Sequence, residues 1–520
     1  MKRKNFKYIL ALATGLQLFS SCSNKFLEVA PKGTFLESNY YQNQEQAFNG
    51  LIAVYDVLGW QSNGFVTKVG VLDAASDDHY AGGGGSSDIM AFQVMTNWTV
   101  TPATGPQEDL WKKGFAGIFR ANTLLAKLPG VPMDDNLKKR YAAECKLLRA
   151  FYFFDLVRFF KNIPMPLTPI ATDNMYNVLQ VPPADVYKQI ETDLKDVIAE
   201  VNLPDQVDRR SEAGRVTKGT AHALLGKVYL YEQKWAEAAA EFKEVNGETP
   251  GQLNAKYGYN LVPDFATLWK SDATAKFNSE SILEVAFNSV SGGVWSAVGS
   301  TDGNLLNIQT GPRNYKRIAA DAPDYVSGWS FLVITPELFN AIHYDPRYNA
   351  TVLNMDSLVK NNIATYDPKA GYMNTGYFLN KFAGRVSNQS KGGGATELNY
   401  PQNLYEIRLA DTYLMEAEAR VKAGEASGAG SRAYALLGAV RARVGLGPVL
   451  ATLDNIFNER RLELAGEGHR FFDLVRTGKA AAVLGVSRGF VAGKNEILPI
   501  PLLELENTKL EQSKEWGGTK

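Results

Sequence analysis

The sequence has two cysteines and four histidines in 520 residues. That is too few for a disulfide framework, and too few for a histidine-rich metal centre. Neither charge is in surplus, with 55 Lys and Arg against 55 Asp and Glu. A general nucleic-acid binder carries a marked basic excess and is excluded. Neither G-x-x-x-x-G-K-S/T nor H-E-x-x-H occurs, which removes the usual NTPase and zincin readings. No cofactor is implied. The longest apolar run, Tyr8 to Phe19, is too short to cross about 30 Å of hydrocarbon as a helix. Apolar residues themselves are plentiful. At 45% hydrophobic and 21% charged, the chain can build a core and is not disordered throughout.

That apolar run reads as part of an export signal over residues 1–21. Lys2, Arg3, Lys4 and Lys7 precede it, and Phe19-Ser20-Ser21-Cys22 closes it. Small residues before a cysteine are similar to a bacterial lipobox, with Ser21 standing where Gly or Ala is usual. Cys22 is therefore the expected lipidation site, and residues 22–520 the expected single domain of the mature chain. Lipid chains on Cys22 would anchor that domain to a membrane without spanning it. The other cysteine, Cys145, falls on a helical pattern and reads as a small core residue.

Apolar spacing predicts helices over Ala47 to Leu58, Leu110 to Leu128, Asp134 to Phe160, Pro183 to about Val201, and within Val216 to Val245. The last block carries Leu225-Gly226-x-x-Tyr229, then Trp235, Ala238, Phe242 and Pro250, the offsets of a tetratricopeptide repeat. Small Gly226 and Ala238 let two antiparallel helices approach, while Tyr229, Trp235 and Phe242 fill the seam. A degenerate copy follows at Leu414, Ala417, Glu418, Ala433 and Leu437. One repeat cannot bury its own face, so stacked neighbours are required. The fold class is mainly α: a tetratricopeptide-like scaffold of about four helix pairs. Two segments, about 72–106 and 246–405, lose the helical period and read as irregular insertions with short β-hairpins. Loops held by a rigid scaffold are where binding residues are expected.

Several long stretches resemble the SusD/RagB family. The clearest runs from Glu459 to Lys479, within a C-terminal signature over 459–512 that includes Leu498-Pro-Ile-Pro501. Ala143 to Tyr152, Arg408 to Ala419, Gly214 to Gly219 and Phe26 to Pro31 match other family blocks, so the resemblance spans the chain. Thr508 and Ser513 depart from the usual residues of the closing motif. The resemblance implies a helical outer-membrane lipoprotein of Bacteroidetes-type bacteria, facing the exterior. It would bind a nutrient, usually an oligo- or polysaccharide, and pass it to a SusC-like TonB-dependent transporter. No chemistry on the ligand is expected. A peptide ligand, as in some relatives, and a purely structural adaptor remain as alternatives.

Five residues are the candidate ligand contacts. Asp77 and Asp78 would accept hydrogen bonds from sugar hydroxyls, with a solvated loop as the alternative. Trp98, Trp295 and Trp329 stand in polar or Gly-flanked settings that suit exposed loops, where an indole face can stack on a sugar ring. Ordinary loop packing is their alternative. The acidic cluster Glu459, Glu463, Glu467, His469 and Asp473 reads as structural, neutralised by Arg460, Arg461, Arg470 and Arg476. Gly485-x-Ser487-x-Gly489 matches a nucleophile elbow, but the last histidine, His469, precedes it, against the order that fold requires.

Overall fold

Side-chain caps start several of the scaffold helices, and buried apolar faces pack them together. The computed structural model describes residues 40–518 except Ser291. The expected signal and Cys22 lie outside the described residues. Helix α1 is Gln44–Asp56, capped by Asn43. Helix α2, Gln107–Lys127, buries Leu110, Trp111, Ile118 and Leu124 on one face and gives way to a short 3-10 turn containing Pro129 and Gly130. Asp134 accepts from the Leu137 N–H at 2.8 Å to start α3, Asp135–Phe160. Helix α4 is Pro183–Ala199. Thr217 and Thr220 cap each other reciprocally at the start of α5, Lys218–Tyr231, which α6, Trp235–Asn246, follows directly. Helices α7, Leu409–Lys422, and α8, Arg432–Arg443, complete the scaffold.

These eight helices form four pairs, α1/α2, α3/α4, α5/α6 and α7/α8, and each pair packs on the next. The α5/α6 seam shows why the repeat needs glycine. A Cβ on Gly226 would meet the Phe242 ring at 2.9 Å. Phe242, Ala238 and Tyr229 are all buried in that seam. Cys145 is buried in α3, and burial pushes its thiol well above the usual range.

The segment after α8 packs an ionic spine. Helix α9, Leu453–Glu463, and helix α10, Arg470–Arg476, carry the acidic cluster. Its glutamates find cations from distant elements. Arg347 reaches Glu459 at 2.6 Å and Glu463 at 2.9 Å. Arg408 reaches Glu280 at 2.8 Å, and Glu463 and Glu467 at 2.7 Å each. Burial alone would raise the Glu463 carboxyl, but Arg443, Arg408 and Arg347 hold it well below the usual range. Of the four arginines expected as neighbours, Arg460 and Arg476 pair with Asp473, at 2.8 and 2.7 Å. Arg461 and Arg470 turn elsewhere. Removing one partner from such a buried set costs about 3–5 kcal/mol, so the spine fixes where the insertion sits on the helices.

Strands are few and short. Among the described residues they form five two-stranded antiparallel ladders. Strand β1, His79–Gly82, pairs with β3, Phe331–Ile334, in the register His79 to Ile334. Strand β2, Ser281–Val285, pairs with β4, Leu404–Arg408, which runs straight into α7. The segment 246–405 is loop-rich, as its composition suggested. The segment 72–106 is more regular than expected. It contains β1 and the helix Met90–Thr96, and helix Lys68–Ala74 enters it. Seven-residue helices are too short to show a period in sequence, and packing makes them.

Candidate functional site

Three aromatic side chains meet at the edge of the loop-rich region. Trp295 and Trp329 are stacked, with ring centroids 6.0 Å apart and planes 26° from parallel. Phe65 meets both edge-on, at 6.2 Å from Trp295 and 5.4 Å from Trp329. Trp295 is 51% exposed, whereas Trp329 and Phe65 are half-buried. Neither indole N–H donates to a described residue.

The backbone around the rings is tightly held. Trp295 opens the strap Trp295–Ser300. Asn399 Oδ1 accepts from the Gly293 N–H at 3.0 Å before it, and Asn63 Oδ1 accepts from the Gly299 N–H at 2.8 Å near its end. Trp329 donates its backbone N–H to the Ile308 carbonyl at 2.8 Å and packs on Ile308, Val326 and Tyr400. Next to it, a Cβ on Gly328 would meet the Gly311 backbone at 2.5 Å, so the loop carrying Trp329 can lie this close only with glycine. Phe65 sits in a turn closed by Ser62 and Val66, at φ +63°. That left-handed conformation costs about 1–2 kcal/mol for an L-residue. The Gln309 side chain, donating to the Phe65 carbonyl at 2.7 Å, helps hold it there. Strain of this kind clusters where a side chain must be aimed.

The candidate residues separate into two groups. Trp295 and Trp329 come together on the surface. Trp98 does not join them. It is 6% exposed, wedged between Phe471 and Phe490 at ring distances of 5.1 and 5.0 Å. Asp77 and Asp78 are also interior. Arg470 grips Asp77 with two hydrogen bonds of 2.8 and 2.9 Å, and Arg461 donates to Asp78 at 2.7 Å. Burial would raise Asp77, but the Arg470 hydrogen bonds and charge hold it below the usual carboxylate range. Burial dominates at Asp78 and raises it. The physical reason for both placements is the same: residues of the C-terminal part cover Asp77, Asp78 and Trp98, and a loop sequence cannot show what covers it. Phe65 was not among the candidates. Its signal is the preceding Asn63-Gly64, a turn dipeptide that places the next side chain at a bend.

Ser487 lies on the exposed face of the helix Ala480–Arg488, its hydroxyl donating back to the Val483 carbonyl. Among the described residues no group of His, Cys, Asp or Glu is placed to hold a metal ion, and no helix is long and apolar enough to cross a membrane.

Comparison with known proteins identifies the family. Residues 279–498 match the SusD family, and residues 25–230 match a family described as starch-binding and associating with the outer membrane. A solved structure called a laminarin binding SusD-like protein is 51% identical, covering 91% of this chain and 99% of its own, with a TM-score of 0.85. The chain belongs to the SusD family. A second structural neighbour is surface glycan-binding protein A from Bacteroides thetaiotaomicron, solved in complex with laminarihexaose. It is 27% identical, covers 90% of this chain and 99% of its own, and has a TM-score of 0.77. A SusD-like protein of Formosa agariphila, P38, is 25% identical over 98% of this chain and 99% of its own. The tetratricopeptide-like scaffold described above is thus a SusD-family fold along almost its whole length.

Proposed function

We propose that this SusD-family chain captures a glycan at the cell surface, and that the Trp295–Trp329 pair is where the sugar rings lie. The observation that carries the reading is the stacked, partly exposed pair with Phe65 at its edge. A pyranose has an apolar C–H face and a polar rim. A flat indole matches the face, and a free indole N–H can meet a hydroxyl on the rim. The ring planes are set before the ligand arrives, so little side-chain entropy is lost on binding.

The ligand is a glucan of the laminarin type. Supporting this is the likeness, over nearly its whole length, to a protein named for laminarin binding. The chain acts as a binder and not as a hydrolase. Supporting that, the acidic residues that could have served as an acid pair are locked in ion pairs. Arg408 and Lys381 hold Glu467 below its usual range against the opposing effect of burial, and Asp473 lies at about 2. A general acid needs its pKa raised towards the working pH.

Residues 1–21 serve as the signal and Cys22 as the lipid anchor, displaying residues 22–520 as a single domain on the outer membrane. A SusC-like TonB-dependent transporter receives the ligand. The test is calorimetric titration with laminarihexaose, with the ligand's mass checked afterwards. Binding that is lost in Trp295→Ala and Trp329→Ala, with the ligand intact, supports the reading. Binding indifferent to both substitutions, or cleavage, contradicts it. Loss of lipid labelling in Cys22→Ala tests the anchor separately.

A further inference from the structure

Trp60 is a second half-buried indole, on the scaffold side of the Trp295 strap. It follows the turn Val57–Gly59 at the end of α1. Its ring is fixed on two sides. The indole N–H donates to Asp56 Oδ2 at 2.8 Å, and the Arg120 guanidinium lies over the ring at 4.6 Å from its centroid. Arg120 is itself held, donating to the same Asp56 oxygen at 2.7 Å. Three clefts meet at this indole. Arg120 lines only one of them.

One of the other two clefts holds about 630 Å³ and runs back to the aromatic platform. Its walls include Trp60, Asn63, Asp109, Lys113 and Ser296. Ser296 directly follows Trp295, and Gly64, also on the wall, directly precedes Phe65. The cleft therefore adjoins the platform through these chain neighbours of its rings.

We infer that the cleft between Ser296 and Trp60 is a second saccharide subsite, which takes the units of a glycan chain that continue beyond the Trp295–Trp329 platform. This rests on the reading of the platform as a glycan site. The walls set an indole beside Asn63, Asp109 and Lys113, groups that can meet the apolar face and the hydroxyls of a sugar. The Trp60 indole, which lines the cleft, offers a stacking surface. Lys113 Nζ donates to the Leu58 carbonyl at 2.8 Å and the Trp60 carbonyl at 3.1 Å. An ammonium has three donors, so one is left for a ligand oxygen. Among the described residues no carboxylate pairs with it. Burial, with Lys68 nearby, brings Lys113 down to about 8, so the amine is one that gains from a new acceptor. Asp109, on the same wall, accepts hydroxyl hydrogens. A donor and an acceptor on one wall can read neighbouring hydroxyls of one sugar.

Chain length separates this subsite from the platform. The purified protein and its Trp60→Ala variant are titrated with laminaribiose and laminarihexaose, beside Trp295→Ala and Lys113→Met. The expected result is that Trp60→Ala keeps biose affinity within twofold and weakens hexaose binding about tenfold or more. Lys113→Met follows the same pattern, whereas Trp295→Ala weakens both ligands. Unchanged biose binding also reports that the variant is folded. Trp60→Ala binding hexaose like the parent overturns the inference, and so does an equal loss for both ligands. If the parent binds neither ligand, the platform reading fails first and this one fails with it.

Discussion

Trp295 and Trp329 stack at 6.0 Å although one belongs to a strap before the helix Leu306–Gln309 and the other to a loop after it in the chain. Each is therefore part of the other's support. Trp329→Ala is expected to weaken laminari-oligosaccharide binding at least tenfold, about 1.4 kcal/mol, by removing a surface and freeing Trp295. Trp295→Phe, which keeps a ring but not the N–H donor, is expected to fall between parent and alanine. Calorimetric titration reads both.

Trp98 and Asp77 should behave in the opposite way. Trp98 is buried against Phe471 and Phe490, so Trp98→Ala should cost about 3–5 kcal/mol of stability. Asp77→Asn weakens the grip of Arg470 and should also destabilise. Oligosaccharide affinity of the folded fraction should not change in either. Denaturant unfolding beside titration separates the two effects.

Gly226 has no room for a side chain. Gly226→Ala places a methyl group 2.9 Å from the Phe242 ring, and overpacking of this kind costs about 1–3 kcal/mol. Phe242→Leu in the same chain should restore part of the loss. Thermal unfolding of the single and double variants measures it.

His79 makes stability depend on pH. It is fully buried, neither ring nitrogen has a hydrogen-bond partner among the described residues, and burial aided by Arg488 and Lys381 lowers it to about 3. In the unfolded chain it titrates near 6.5. The folded value is the lower one, so the contribution is present above about pH 6.5 and is lost as pH falls towards 3. Its slope is at most about 1.4 kcal/mol per pH unit. His79→Leu should flatten the stability profile between pH 6.5 and 4, as read by denaturant unfolding at each pH.

Local features of the fold were legible in the sequence, and features made by distant partners were not. The helix starting at Asp134, the helix ending near Leu128 and the Gly226–Phe242 seam each depend on residues close in the chain, and each stands where the pattern put it. Trp98 and Trp295 look alike in sequence, both among polar or small neighbours. Only Trp98 is covered, by rings from the C-terminal end of the chain. Asp77 and Asp78 were hidden for the same reason. Arg461 and Arg470 looked like partners of the adjacent glutamates but reach across to these aspartates, leaving those glutamates to Arg347, Arg408 and Lys381. Phe65 escaped notice because its role comes from a turn geometry, not from its neighbours' polarity.

The most direct test of the central claim is a crystal structure of the protein with laminarihexaose. The account predicts a sugar ring lying flat on the exposed face of Trp295, with Trp329 behind it and Phe65 at the edge. A saccharide bound elsewhere on the molecule, with the Trp295 face clear of it, would contradict the account.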